Sequence, residues 1–357
     1  MLLLTLTVLA VLSGGYVVGG LQAYAHLQKD SLADSEHCGG QSPVRICVKA
    51  PPAVFSAFYP SDVATQAPLF TVTYSSSTPV SLVVSVGVVN FTQSSSQTVN
   101  ATSTTQTLSF VPPLLSRQVL RNLTSEQNTS LQVQVTDTHK HLYYLNDIPL
   151  LLHSRWLMQW VATNRLLIGA WVTPNDPSVR ALVLKAATHL SMEPPNAPTA
   201  MIGYTGATRQ QVMAQVNAIY DALRLDYHIR YVQASIPYSG PGSSAVATQE
   251  IKLPFEVLQQ RSGMCIELTT LMASAVESIG LHAEIVIVPG HAFLGVATTP
   301  GGSHVEYWDA VKVNDGVAAD SDNIYTDNEY AQNAKMHTIV DTISLSDASS
   351  AHIGAML

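Results

Sequence analysis

Two patterns of apolar and polar positions divide the chain. From residue 51 to about 152, short segments rich in Val, Thr and aromatic residues are separated by turns of Ser, Thr, Pro and Asn. Four of these segments predict β-strands: LFTVTY, SLVVSVGVV, TQTLSFV and SLQVQVTD. Regularly spaced strands without helical periodicity are typical of a β-sandwich, and we expect an immunoglobulin-like one over residues 51–152.

From about residue 153 the pattern favours helices mixed with strands. The segment LHSRWLMQWVATNRLLIGAWV places its apolar residues at helix-compatible positions, and Ser178 is suited to cap the helix that follows. Thr208 and Gln211 have the spacing of a capping box at the start of another amphipathic helix. We therefore expect a second domain, containing both helices and strands, over residues 153–357.

The first 25 residues predict export. Residues 2–18 are almost entirely apolar and uncharged, and Ala23-Tyr24-Ala25 fits a signal-peptidase site. The segment has no Lys or Arg before the apolar run, and it is long enough to span a bilayer, which needs roughly 20 residues. A cleaved signal peptide and an N-terminal membrane anchor therefore both stay open. Either one places the rest of the chain outside the membrane, in an extracellular or periplasmic compartment.

The three cysteines fit an exported protein. Cys38 and Cys47 bracket the short loop segment HCGGQSPVRIC within residues 26–50, which we interpret as a linker. In an oxidising compartment this spacing predicts a disulfide, whereas it matches no common zinc-ligand pattern. That pairing leaves Cys265 as an odd thiol, which is either a buried apolar residue or a reactive group.

The overall charge narrows the class of partner. The chain has 357 residues, a formal net charge of −8 and only 12% charged residues, with no basic cluster. Its length suggests about two domains. Nucleic acid is not expected as a partner, and a membrane is expected as one only through the N-terminal segment.

Cys265 is predicted to lie in the first turn of a helix. The apolar residues that follow it have the spacing of a helix buried on one side: Leu268, Leu271, Met272, Ala275, Val276 and Ile279. Ser262 is suited to be the N-cap of this helix. Unpaired N–H groups and the helix dipole at this end stabilise an anion, so the position favours the thiolate form of Cys265.

Three predicted strands follow, and their register decides which acid meets the histidine. The strands are LHAEIVIV, HAFLGVAT and HVEYWDAVKV, with His291 at the start of the second. If Thr298 pairs with His304, Asp309 becomes the diagonal neighbour of His291 on the same face. A shift by one residue brings Glu306 to that side instead. Spacing alone leaves both acids open.

Three motifs occur in the order found in the transglutaminase-like superfamily and resemble its Cys-His-Asp core, which shares its logic with papain-like enzymes. They are Gly263-Met264-Cys265, Pro289-Gly290-His291-Ala292-Phe293 and Trp308-Asp309. As in bacterial members, a Gln-x-x-x-x-Pro element, here Gln249 to Pro254, precedes the cysteine segment. The resemblance covers about residues 155–345 and is strongest over 249–311.

This resemblance implies an α+β fold in which a helix packs on an antiparallel sheet, preceded by the all-β domain and the N-terminal hydrophobic segment. It implies Cys265, His291 and Asp309 as catalytic residues, with Asp309 favoured over Glu306 as the acid. Gln249 is a candidate oxyanion-hole donor, because acyl transfer needs a donor for the developing negative charge. No cofactor and no metal are implied.

The expected function is that of an exported cysteine enzyme that acts on peptide or protein amide bonds through a thioester. Ile266 stands where the animal cross-linking enzymes usually have Trp, which favours hydrolysis over cross-linking. The alternative is a cell-surface binding or scaffold module whose catalytic site has degenerated.

Overall fold

The computed structural model describes residues 34–160, 165–193, 197–233 and 247–357. The signal peptide or anchor predicted over residues 1–25 lies outside the described residues. In the described part of the chain, the apolar stretches within helices are too short to cross a membrane. The chain divides into two compact units, Met1–Leu157 and Met158–Leu357, and it is a mixed α+β protein with several antiparallel sheets.

Two sheets share the core of the first unit. One has the strand order β1-β2-β4-β7 and the other β3-β9-β8-β5-β6, and all neighbours are antiparallel except the parallel pair β3–β9. The strands are β1 (Ser35–Gly39), β2 (Val44–Ala50), β3 (Ala53–Phe55), β4 (Phe70–Ser76), β5 (Val80–Val88), β6 (Ser95–Ala101), β7 (Gln106–Phe110), β8 (Gln127–Asp137) and β9 (Leu142–His153). The described residues of this unit also form two short α-helices, α1 (Tyr59–Thr65) and α2 (Arg117–Asn122).

One continuous apolar core joins the two sheets. Ile46 and Val72 from the first sheet pack in the same cluster as Val84 and Val133 from the second, and all four are fully buried. The four segments with strand patterns lie in β4, β5, β7 and β8, so those strand predictions are confirmed. The immunoglobulin-like subtype stays a prediction.

The linker predicted over residues 26–50 is wrong for its described part. Strands β1 and β2 form an antiparallel hairpin, and β2 buries every second residue against the core. The alternation in VRICVKA is a strand pattern that the Gly/Pro content of the preceding loop obscured. Cys38 lies opposite Cys47 in this hairpin, and the predicted disulfide between them is confirmed.

The second unit is built around a four-stranded antiparallel sheet of order β16-β15-β14-β17. The strands of the second unit, in chain order, are β10 (Leu157–Trp160), β11 (Arg230–Tyr231), β12 (Ala247–Glu250), β13 (Ser262–Gly263), β14 (Ala283–Val288), β15 (His291–Ala297), β16 (Val305–Trp308) and β17 (Asp341–Ser344). Its helices are α3 (Pro177–Ala186), α4 (Arg209–Leu225), α5 (Pro254–Gln260), α6 (Cys265–Ser278), α7 (Ala319–Met336) and α8 (Leu345–Ser350). Two small ladders, β10–β12 and β11–β13, lie outside the main sheet.

Helix α6 is the centre of this unit. It packs against β14 and β15 on the sheet and against α3, α4 and α5. Every residue from Ile266 to Val276 is buried, so the prediction of a helix buried on one side only is wrong. Buried polar side chains of the helix have hydrogen-bond partners within the protein. Ser274, for example, donates to the carbonyl of Thr270 and accepts from the backbone N–H of Thr173. Thr and Ser side chains bonded in this way behave as core residues, which hides the burial from the sequence pattern.

Helix prediction failed over residues 152–172. Among the described residues of this segment, strand β9 ends at His153, β10 follows, and only Arg165–Trp171 is helical, as a 3₁₀ helix. Most of the described apolar residues are buried, whereas Trp156, Leu157 and Leu166 are half-buried; pairing of β10 with β12 outweighs the local periodicity. Trp171 is fully buried and its indole N–H donates to the carbonyl of Ile251 at 2.7 Å.

Two helix starts differ in how well their caps were predicted. The capping box at α4 is confirmed: the backbone N–H of Thr208 donates to Gln211, and the backbone N–H of Gln211 donates to the Thr208 hydroxyl. Ser178 does not cap α3, because Asp176 is the N-cap and accepts from the backbone N–H of Ser178 at 2.8 Å. Asp is at least as good an N-cap as Ser, and Pro177 fits the position between them.

Candidate active site

Cys265 is the first residue of helix α6. Met264 is the residue before the helix, so the Ser262 cap predicted from sequence is wrong; Ser262 lies in β13 instead. Glu267, in the first turn, replaces the missing cap by accepting from the backbone N–H of Met264 at 3.0 Å and of Lys252 at 2.8 Å. The N–H of Cys265 has no partner within the helix, because an α-helix leaves its first four N–H groups unpaired.

The backbone just before Cys265 requires a glycine. A Cβ atom added at Gly263 would lie 2.9 Å from a methyl group of Leu268 and 3.2 Å from one of Val257. Both neighbours are buried and cannot move aside easily. Gly263 therefore lets the chain pass close to α5 and α6, and this passage fixes where α6 starts.

A tight hairpin places His291. Strands β14 and β15 pair with Val288 opposite His291, so only Pro289 and Gly290 form the turn. Gly290 adopts a φ of +78°, a conformation that glycine adopts at little cost. His291 is thus the first residue of β15, at the end of the sheet.

The register of β15 and β16 brings the acid to the histidine. The backbone N–H of Thr298 donates to the carbonyl of His304 at 2.8 Å, which is one of the two pairings considered from sequence. Asp309 then follows the last paired residue of β16, and its Oδ2 lies 3.0 Å from Nε2 of His291.

Glu306, the other candidate acid, lies elsewhere. It is opposite Val296 in the β15–β16 ladder, and its carboxylate pairs with Arg209. Of the two acids left open by the sequence, the one in contact with His291 is therefore Asp309.

The carboxylate of Asp309 is held on both oxygens. Oδ2 faces His291, and Oδ1 accepts from the backbone N–H of Val311 at 3.0 Å. The side chain of Asp309 caps the 3₁₀ helix Ala310–Asp315, and the residue is only 2% exposed. A buried carboxylate fixed in this way is suited to orient an imidazole and to balance its positive charge.

His291 is in contact with both Asp309 and Cys265. Burial alone would lower its pKa, but the hydrogen bonds to Asp309 and Cys265 and the charges of both groups outweigh that effect and raise the pKa of His291 to about 10. Because Nε2 faces Asp309, Nδ1 is the ring nitrogen left for the sulfur. This geometry allows the ring of His291 to exchange a proton with the Cys265 thiol.

The pair opens into a cleft of about 540 Å³ within the second unit. The cleft is lined by Trp160, Tyr231, Gln233, Gln249, Met264, Cys265, Ile266, Ile287, Gly290, His291 and Ala292. Gln249, predicted as the oxyanion donor, thus lies in the same cleft as Cys265. Its Oε1 accepts from the indole N–H of Trp160 at 3.0 Å, and its Nε2 lies 3.3 Å from the sulfur of Met264.

Three residues at or next to the site were not identified from the sequence. Trp160 and Tyr231 line the cleft, and burial raises the pKa of Tyr231, with the charges of Cys265 and Asp309 raising it further. Asp322 is fully buried and accepts from the backbone N–H of Asp309 at 2.8 Å. All three reach the site through tertiary contacts between distant segments, for which the local sequence offers no signal.

Comparison with known proteins gives no relative. No protein-family model matches the chain, and no curated protein matches it. The assignment of a function therefore depends on the geometry of the site and on the motifs that occupy it.

Potential metal ligands come together in the first unit. In the described part of the chain, the one cluster of three such groups is Glu36, Cys38 and Cys47 in the first unit. Its two sulfur atoms are joined in the disulfide, which removes them as ligands.

Proposed function

We propose that this protein is an exported cysteine enzyme of acyl transfer with a papain-like, transglutaminase-like core in its second unit. The observation that carries the proposal is that His291 is hydrogen-bonded to Asp309 and lines the same cleft as Cys265, the first residue of a buried helix. A nucleophile, a base and a residue that orients the base are the minimum for this chemistry. The Cys38–Cys47 disulfide supports an oxidising compartment.

The proposed reaction begins with the thiolate of Cys265. The sulfur attacks the carbonyl carbon of an amide, a C–S bond forms, and the carbonyl oxygen takes the negative charge. His291 then gives its proton to the departing nitrogen, the C–N bond breaks, and a thioester remains. In the second step His291 accepts a proton from water, the hydroxide oxygen attacks the thioester, and the acid leaves as the thiolate is restored.

Two donors are available for the charged oxygen. The backbone N–H of Cys265 is unpaired within its helix. The amide of Gln249 has two N–H groups, of which the contact with Met264 takes one. Donors that are fixed before the reaction stabilise a developing oxyanion without reorganising.

Hydrolysis is the favoured outcome of the second step. Ile266, 3% exposed, lines the cleft directly after the nucleophile, where cross-linking relatives of the resembled family usually carry Trp. Water needs no second binding site, whereas an amine acceptor does.

Alkylation of Cys265 in the full chain tests the proposal. With iodoacetamide at a pH of about 5.5, Cys265 should react at least tenfold faster than an ordinary thiol, whose pKa of roughly 8.5 leaves it almost wholly protonated there. His291→Ala should abolish the advantage and Asp309→Asn should reduce it. Glu306→Gln is the matched control, since its carboxylate pairs with Arg209, and it should react like the parent.

Two outcomes would contradict the proposal. One is a folded parent protein whose Cys265 reacts no faster than a free thiol. The other is a parent whose rapid alkylation persists in His291→Ala. If alkylation is rapid but a broad set of peptides is bound without turnover, the alternative of a degenerate binding module is supported.

A further inference from the structure

The described walls of the cleft hold no acidic side chain and no Lys or Arg. Among the described residues that line it, the aromatic side chains Trp160 and Tyr231 and the apolar side chains Met264, Ile266 and Ile287 surround the catalytic pair. A side chain that enters this space therefore meets a largely apolar surface, in which His291 and Cys265 are the groups that exchange a proton in the proposed reaction.

The acids closest to the catalytic pair are turned away from the cleft. Asp309 directs one carboxylate oxygen to His291 and the other to a backbone N–H. Glu267 is 3% exposed and its carboxylate accepts from the backbone N–H groups of Met264 and Lys252. Both carboxylates are thus engaged by groups of the protein, and neither residue lines the cleft.

The basic side chain of Lys252 is held by three neighbouring groups. The ammonium group of Lys252 donates to Gln260 and to the carbonyl of Ser262, and it pairs with Glu267. It therefore contributes to holding the loop before α6 and offers no counter-ion for an anionic substrate. A charged side chain that leaves water without a counter-ion is strongly disfavoured.

The polar groups that do reach the cleft suit a neutral amide. Gln249 keeps an N–H group, and Gln233 is an exposed amide at the rim. A mostly apolar cleft with a few amide groups has the character of a site for a small ligand or a short peptide segment.

We infer that the cleft selects acyl donors whose side chain beside the reacting carbonyl is uncharged and apolar or aromatic, and that it rejects donors with a charged side chain there. This inference rests on the proposed function, because it names the substrate class of the same site. The selection arises from the loss of solvation of the charged group, and it acts on lysyl and glutamyl donors alike.

Two chloromethyl ketones provide a matched test on the full chain. Tosyl-phenylalanyl and tosyl-lysyl chloromethyl ketone share the tosyl group and the reactive carbon; in each, the Cys265 thiolate forms a C–S bond and chloride leaves. The rate of alkylation, followed by intact mass, is divided by the rate of each reagent with a free thiol. The phenylalanyl reagent should react at least about tenfold faster by this ratio, a difference worth about 1.4 kcal/mol. A tosyl-glutamyl reagent should be as slow as the lysyl one.

A charge introduced at position 233 should change which chloromethyl ketone the cleft prefers. Gln233 is exposed, so Gln233→Glu and Gln233→Lys are expected to fold. Gln233→Glu should raise the relative rate of the lysyl reagent about threefold at low salt, and Gln233→Lys should do the same for the glutamyl reagent. Both gains should disappear in high salt, which screens exposed charges.

The outcomes distinguish a failure of the proposed function from a failure of the inference about substrate class. If Cys265 does not react rapidly with iodoacetamide, the proposed function fails. If it does react rapidly with iodoacetamide but the phenylalanyl, lysyl and glutamyl reagents give equal ratios, the inference fails while the proposed function stands. Ratios that are unchanged in both Gln233 variants would also overturn the inference, because charge would then not govern entry.

Discussion

The backbone N–H of Asp309 donates a 2.8 Å hydrogen bond to the carboxylate of Asp322. The acid that orients His291 is thus anchored by a second acid, which is fully buried in the first turn of α7. Burial, with the charge of Asp309 adding to it, raises the pKa of Asp322 to about 8 although it accepts this hydrogen bond. Asp322 acts through Asp309 and is a positioning residue.

Removing Asp322 should weaken both the fold and the reactivity of the thiol. Asp322→Ala leaves the N–H of Asp309 buried without its acceptor, which is expected to cost about 1–3 kcal/mol in the free energy of unfolding. It should also shift the pH profile of Cys265 alkylation upward, because Asp309 is less well oriented. Denaturant unfolding and iodoacetamide labelling over pH measure the two effects.

Asp322→Asn keeps an acceptor oxygen and should restore most of the labelling rate. Asp320→Asn is the matched control, since this neighbouring acid accepts from Asn217 and has no hydrogen bond with Asp309. A pH profile that is unchanged in Asp322→Ala would remove the positioning role and leave only a structural one.

The stability of the protein should fall as the pH rises. The pKa of His291 is about 10 in the folded protein and roughly 6.5 in an unfolded chain, so the protonated imidazole stabilises the folded state. This contribution is complete below a pH of about 6.5 and is lost progressively as the pH approaches 10. Each pKa unit of the shift is worth about 1.4 kcal/mol.

Urea unfolding at several pH values between 6 and 10 measures this effect. His291→Asn lacks the group, so the difference in unfolding free energy between parent and variant should shrink as the pH rises. A constant difference across this range would show that His291 is not held in its charged form.

The role of Gln249 can be separated from that of the thiol. Acylation by p-nitrophenyl acetate passes through an oxyanion, whereas alkylation by iodoacetamide does not. Gln249→Ala should slow acylation by about 100-fold and change alkylation by less than about threefold. Gln210→Ala, which removes an exposed amide of α4 that does not line the cleft, is the control and should leave both rates near those of the parent. Equal losses in both reactions would assign Gln249 a structural role.

The disulfide should stabilise the first unit. Cys38 and Cys47 are separated by 9 positions in sequence, and a closed loop of this length is worth about 2–3 kcal/mol in unfolding free energy. Replacing both with Ser should lower the midpoint of the first unit's unfolding transition accordingly. Reduction with dithiothreitol should lower it in the parent and not in the double variant; insensitivity of the parent would show that the bridge adds no stability.

The positions of Cys265, His291 and Asp309 in their helix and strands were predicted better than the elements around them. The order of Cys265, His291 and Asp309 could be recognised because each follows a local signal: a helix start, a hairpin turn and a strand end. The sequence left two strand registers open, and one of them brings Asp309 to His291. The ladder between β15 and β16 has that register. The catalytic roles of these residues and of Gln249 stay predictions.

What could not be predicted depends on contacts between distant segments. Trp160 lies in a strand rather than in the expected helix, because β12, nearly 90 residues later, pairs with β10. Tyr231 reaches the cleft through a parallel ladder in which it lies opposite Gly263. Glu267, in place of Ser262, organises the start of α6 because its carboxylate bridges two separate backbone segments.

The burial of α6 on all sides has a consequence for how activity would be lost on heating. Amide groups in a helix that is enclosed by a sheet and three other helices exchange with solvent only when the surrounding structure opens as a whole. The sulfur is attached to the residue directly before this buried stretch, so the support of the sulfur is lost only when the surrounding structure opens. Thermal inactivation should therefore coincide with cooperative melting of the second unit and should not precede it through local fraying.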